Sequence, residues 1–120
     1  MESKYVYVDS PDGLVEVKAF LDPAVPRSFI SDRFFRNLEL PPRQVESVTT
    51  SLRGKPFQEH YVWIKMYVDG NGFREKCRIL EGLSEDLVLG SPALARCGPE
   101  QPGLRLKLKI RPGEKQISSD

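Results

Sequence analysis

The chain has no apolar run approaching the length of a membrane span. Cysteine is scarce: Cys77 and Cys97 make neither a disulfide framework nor a thiolate metal cluster. Histidine occurs once, at His60, which excludes a histidine-based triad or a multi-histidine metal site within one chain. Net charge is close to zero, with 18 Lys+Arg against 17 Asp+Glu, and this excludes general capture of nucleic acid or membrane by bulk electrostatics. The first residues, Met1-Glu2-Ser3-Lys4-Tyr5, lack the apolar stretch and cleavage site of a secretory signal, so an intracellular, cytoplasmic location is expected. No cofactor and no metal is expected.

What is present is a set of short, patterned segments suited to one domain. Tyr5-Val6-Tyr7-Val8 is β-branched and aromatic, and Ser10-Pro11-Asp12-Gly13 is a turn signal. Leu14 to Leu21 then alternates, with Val15, Val17, Ala19 and Leu21 on one face, so residues 5–21 read as a hairpin. Tyr61 to Val68 alternates again, and Asp69-Gly70-Asn71-Gly72 turns it onto Phe73–Leu80. In that return strand Cys77 falls on the apolar side with Phe73 and Ile79. A last strand is expected at Leu104–Ile110, with Lys and Arg on its other face.

Two short helices are expected. Ser31 caps one carrying Phe34, Phe35 and Leu38, ended by Pro41-Pro42; Ser91-Pro92 opens the other, Pro92 to Cys97, stopped by Gly98-Pro99. The fold class is all-β: a small closed barrel with one or two short helices, over residues 1–112, followed by a flexible tail over 113–120.

Two segments exceed what generic strands require. In Phe20-Leu21-Asp22-Pro23-Ala24-Val25-Pro26-Arg27-Ser28-Phe29-Ile30-Ser31, an apolar strand runs into an acid, a proline-bounded loop and a second apolar patch. In Leu87-Val88-Leu89-Gly90-Ser91-Pro92, three apolar residues form a strand buried on both faces, ending at a glycine that permits close backbone approach.

Together these segments resemble the retropepsin-like aspartic peptidases of retroviruses and retrotransposons. Asp22 stands at the position of that family's catalytic acid, Phe29-Ile30-Ser31 at its downstream apolar patch, and Val88-Leu89-Gly90 at its apolar-apolar-Gly motif. The resemblance spans roughly Tyr5 to Gly98. It implies a flap hairpin over Val48–Phe57, with Gly54 near its tip, and a groove touching Ala24, Leu52, Arg53, Gly54 and Val88. It also implies a homodimer, because each chain supplies one acid of a pair that shares a proton, and a peptide or protein segment in the groove.

The sequence departs from the family beside the acid. Pro23 replaces the Thr or Ser and Ala24 the Gly, so the hydroxyl and the amide that lock the two loops across the dimer axis are gone. The resemblance therefore implies a retroelement-derived module for dimerisation or peptide binding with impaired catalysis. The alternative is an active homodimeric aspartic endopeptidase. A third reading is a barrel of different topology that binds RNA or single-stranded DNA through Tyr61, Trp63, Tyr67 and the basic face of 105–111.

Overall fold

In the computed structural model, Glu2–Cys97 are described. The strand expected at Leu104–Ile110 and the tail over 113–120 lie outside these residues. Seven strands and two helices follow in order: β1 (Glu2–Ser10), β2 (Gly13–Leu21), β3 (Ser28–Ser31), α1 (Asp32–Leu38), a 3-10 turn (Pro42–Gln44), β4 (Val45–Leu52), β5 (Lys55–Val68), β6 (Asn71–Leu80), β7 (Leu87–Leu89) and α2 (Ser91–Cys97). Neither helix is long and apolar enough to cross a membrane.

The hydrogen-bonded order is β1-β2-β7-β3-β6-β5-β4, and a further β1–β5 pairing joins the sheet to itself. Six strands therefore close into a barrel, while β4 pairs with β5 alone among the described strands. The all-β closed barrel with two short helices is as the sequence pattern predicts. Its interior is filled by the inward residues of the alternating strands: Val6 and Val8, Val17 and Ala19, Val62, Ile64, Met66 and Val68, and Cys77.

Turn chemistry sets the registers. Ser10 Oγ donates to the Gly13 carbonyl at 2.7 Å and accepts from Asp12 N at 3.2 Å, which fixes the β1–β2 turn. Between β5 and β6 only Asp69 and Gly70 form the turn, both at positive φ (51° and 85°), the conformation that matches strand twist. Asn71 and Gly72, expected in that turn, instead begin β6. Gly72 makes room there for the Tyr67 ring, which a Cβ would meet at 2.9 Å unless the ring shifted. Ser31 caps α1 through its Oγ, which accepts from Phe34 N at 3.0 Å.

One boundary differs. The strand expected from Tyr61 begins six residues earlier, at Lys55, so the second arm of the β4–β5 hairpin and the barrel strand are one 14-residue element. His60 therefore lies within β5 rather than at its start; it is exposed, and its Nδ1 is 2.9 Å from Ser47 Oγ on β4.

Candidate active site

The short strand β7 lies between β2 and β3. It runs parallel to β2, pairing Phe20 with Val88 and Leu21 with Leu89, and antiparallel to β3, pairing Phe29 with Val88. All three of its residues are buried, as expected for an apolar run with neighbours on every side. Continuing the parallel register brings Asp22 alongside Gly90. The Asp22 amide donates to the Leu89 carbonyl at 3.0 Å, the last rung before the strands part.

The loop that follows is held from several directions. Val25 N donates to the Asp22 carbonyl (3.3 Å), and Ser91 N, at the start of α2, donates to the Val25 carbonyl (2.9 Å). Gly90 packs directly beneath: a Cβ at that position would stand 2.4 Å from the Arg27 carbonyl oxygen and 2.8 Å from that of Val25. The Asp22 side chain is partly exposed, and its Oδ1 accepts from Ala24 N at 3.0 Å. Ala24 is exposed and at negative φ, so within one chain its methyl group meets no obstruction where the family pattern has glycine. Pro23, also exposed, presents no donor.

Two residues beneath the loop are absent from the sequence-based reading of the site. Ser28 Oγ accepts from the Gly90 amide (3.0 Å) and donates to Glu75 Oε2 (2.9 Å), and Glu75 Oε1 receives Arg96 Nη1 at 3.2 Å. Ser28 is fully buried and Glu75 only 3% exposed, so this chain of polar groups runs through the interior from α2 to the glycine that follows β7. The available signal was Glu75 itself, an acid on the apolar side of Phe73-x-Glu75-x-Cys77-x-Ile79.

Burial raises the Glu75 carboxyl above its ordinary value of 4.5, against the opposing pull of the Ser28 hydroxyl and Arg96. Burial also pushes up the thiols of Cys77 and Cys97, the other titratable groups facing it. The folded state thus keeps the Glu75 proton to higher pH than the unfolded chain, and this contribution to stability is lost as pH rises from 4.5 through the folded value. Urea midpoints measured across that range should fall with pH through this group. Glu75→Gln, which does not titrate, should flatten the trend; an identical slope in both proteins would contradict the assignment.

The β4–β5 hairpin projects beside the barrel. Arg53 and Gly54 form its two-residue tip, both at positive φ (53° and 79°). One face carries Val48, Leu52 and Phe57, all exposed, with Leu52 at 62%. Alternation puts Glu59 and Tyr61 on that same face, and there the hairpin base meets the loop: Arg27 donates to Tyr61 Oη, Tyr61 donates to Glu59, and Glu59 takes ion pairs from Arg27 (3.9 Å) and Arg78 (3.4 Å). The base of that face therefore meets Arg27, where the Asp22 loop leads into β3.

Of the groove residues implied by the family resemblance, Ala24, Leu52, Arg53 and Gly54 are exposed, while Val88 is only 8% exposed, enclosed by Phe20 and Phe29. Among the described residues, hairpin and loop are linked through Arg27, Tyr61 and Glu59, at the hairpin's base. No group of His, Cys, Asp and Glu among the described residues could hold a metal ion. The rings of Tyr61, Trp63 and Tyr67 each have a Lys or Arg cation within 6 Å of the centroid, Lys76 serving both Tyr61 and Trp63.

No protein-family model matches the chain, and no curated protein matches it. Among solved structures it is similar to the retroviral protease-like domain of Ddi1 from Leishmania major, with 20% sequence identity and a TM-score of 0.54, over 80% of this chain and 76% of that chain. At that identity the likeness is one of architecture, and the chain has a retropepsin-like fold.

Proposed function

We propose that the chain is a peptide-binding or dimerisation module of retropepsin-like fold in which proteolysis is impaired. The observation that carries this reading is the loop at Asp22: the acid and its supporting frame are intact, while Pro23 supplies neither N–H nor hydroxyl. A single carboxylate cannot both activate water and polarise a peptide carbonyl, so cleavage requires Asp22 from two copies, docked loop to loop. The exposed Pro23 and Ala24 are the residues such docking would bring together. The groove lies between the Asp22 loop and the hairpin face bearing Leu52, where an extended peptide adds its main chain as a strand.

The alternative is an active homodimeric endopeptidase. It is favoured by the Ala24 amide, which still donates to the Asp22 carboxylate at 3.0 Å. The two readings separate in one assay with an unstructured protein substrate at mildly acidic pH, with light scattering for oligomeric state. The impaired module gives no cleavage above that of Asp22→Asn, and Pro23→Thr with Ala24→Gly raises activity or tightens self-association. Cleavage by the unaltered chain that Asp22→Asn abolishes would establish the enzyme instead.

A further inference from the structure

The described residues include thirteen lysines and arginines, and seven of them pair with an acid. Of the six with no acid partner among the described residues, three line one cavity: Arg43 from the 3-10 turn, Lys65 from β5 and Arg74 from β6. The cavity measures about 360 Å³ and also has Trp63, Pro11 and Pro41 on its walls; among the described residues Asp9 is the sole acid in its lining. It lies at the Ser10–Gly13 turn, the far end of the β1–β2 hairpin from Asp22, on the order of 25 Å away along the strand.

The walls are fixed. Pro11 and Pro41 have locked φ angles, and Gln44 Nε2 donates to the Trp63 carbonyl at 2.8 Å, which ties the 3-10 turn to β5. The Trp63 indole N–H is held by Glu46 at 3.0 Å, and the Arg74 guanidinium lies 5.9 Å from its ring centroid. Two arginines and a lysine line a space that has one apolar, aromatic side. Guanidinium forks match phosphate oxygens, and a dianion answers several cations better than a lone carboxylate does.

We infer that this cavity is an anion site for a phosphomonoester, with the phosphate between Arg43, Lys65 and Arg74 and the carbon body against Trp63 and Pro41. The site is independent of the groove at Asp22. Its ligand is either a small phosphorylated metabolite or a phosphorylated side chain on a protein segment, the phosphate chemistry being common to both.

Trp63 is the only tryptophan, so its fluorescence reports on this cavity. The unaltered chain is titrated at constant ionic strength with phenyl phosphate and with a serine-phosphorylated peptide. A saturable change is expected, weakened at least tenfold in the Arg43→Ala/Arg74→Ala variant. Both arginines are exposed and neither has a described ion-pair partner, so that variant should keep its fold by circular dichroism. Tighter binding of the peptide supports the site and assigns a protein ligand; binding of phenyl phosphate at least as tight supports it and assigns a small molecule. Asp22→Asn should leave either affinity within twofold. The inference is overturned if no ligand saturates, if the double variant responds like the unaltered chain, or if Asp22→Asn removes binding.

Discussion

Gly90→Ala should destabilise the fold by about 3 kcal/mol, the upper end of what overpacking by one methyl group costs. The added Cβ would stand 2.4 Å from the Arg27 carbonyl oxygen, and both that atom and the Val25 carbonyl belong to backbone pinned elsewhere. Val25 is held by the Ser91 amide, and Arg27 leads directly into β3, which pairs with both β6 and β7. The loop cannot retreat without breaking these bonds. Urea unfolding measures the cost, and amide exchange at Asp22 and Ser91 shows whether the loop has loosened. Gly82→Ala is the internal control: Gly82 has φ +78° but open space around it, so the expected loss is only about 1 kcal/mol, from backbone strain alone. A Gly90 variant no less stable than the Gly82 variant would refute the packing described for the loop.

Ser28→Ala should cost about as much by a different route, roughly 2–4 kcal/mol. It leaves the Gly90 amide without its acceptor and Glu75 with Arg96 as its remaining partner among the described residues, both in the interior. The hydroxyl is the only group that joins these two demands, since it receives one hydrogen bond and gives the other. A double-mutant cycle with Glu75→Gln should show a coupling of about 1 kcal/mol or more between residues 28 and 75. Strict additivity would mean that the two side chains act separately.

The parts of this site that could be read from the chain alone are those where burial imposes a pattern. Leu87-Val88-Leu89 is apolar without interruption because β7 has neighbours on every side, and a glycine must follow because Val25 and Arg27 press against it. Asp22 stands out for the same reason, as an acid directly after a buried strand. The hairpin was harder to delimit. Residues 45–58 project beside the barrel with little buried surface, so no alternation marks where β5 begins, and Pro56, Gln58 and Glu59 look like loop. Ser28 and Glu75 are hidden in another way: Ser28 is ordinary in its own segment, Glu75 announces an acid on an apolar face but no partner for it, and only the parallel pairing of β3 with β6 sets residue 28 near residue 75. Pairings between distant segments are what local pattern cannot supply.

The insertion of β7 between β2 and β3 also dictates when the Asp22 loop can take shape. Strands β2 and β3 leave the ribosome more than fifty residues before Leu87, yet neither has its full set of neighbours until that three-residue piece arrives. Until then both expose open edges, and the chain ahead of residue 87 is a barrel with a slot. Closure is thus a late, long-range event in folding, and a chain interrupted at the β6–β7 connection should accumulate as an association-prone species rather than as a smaller stable domain.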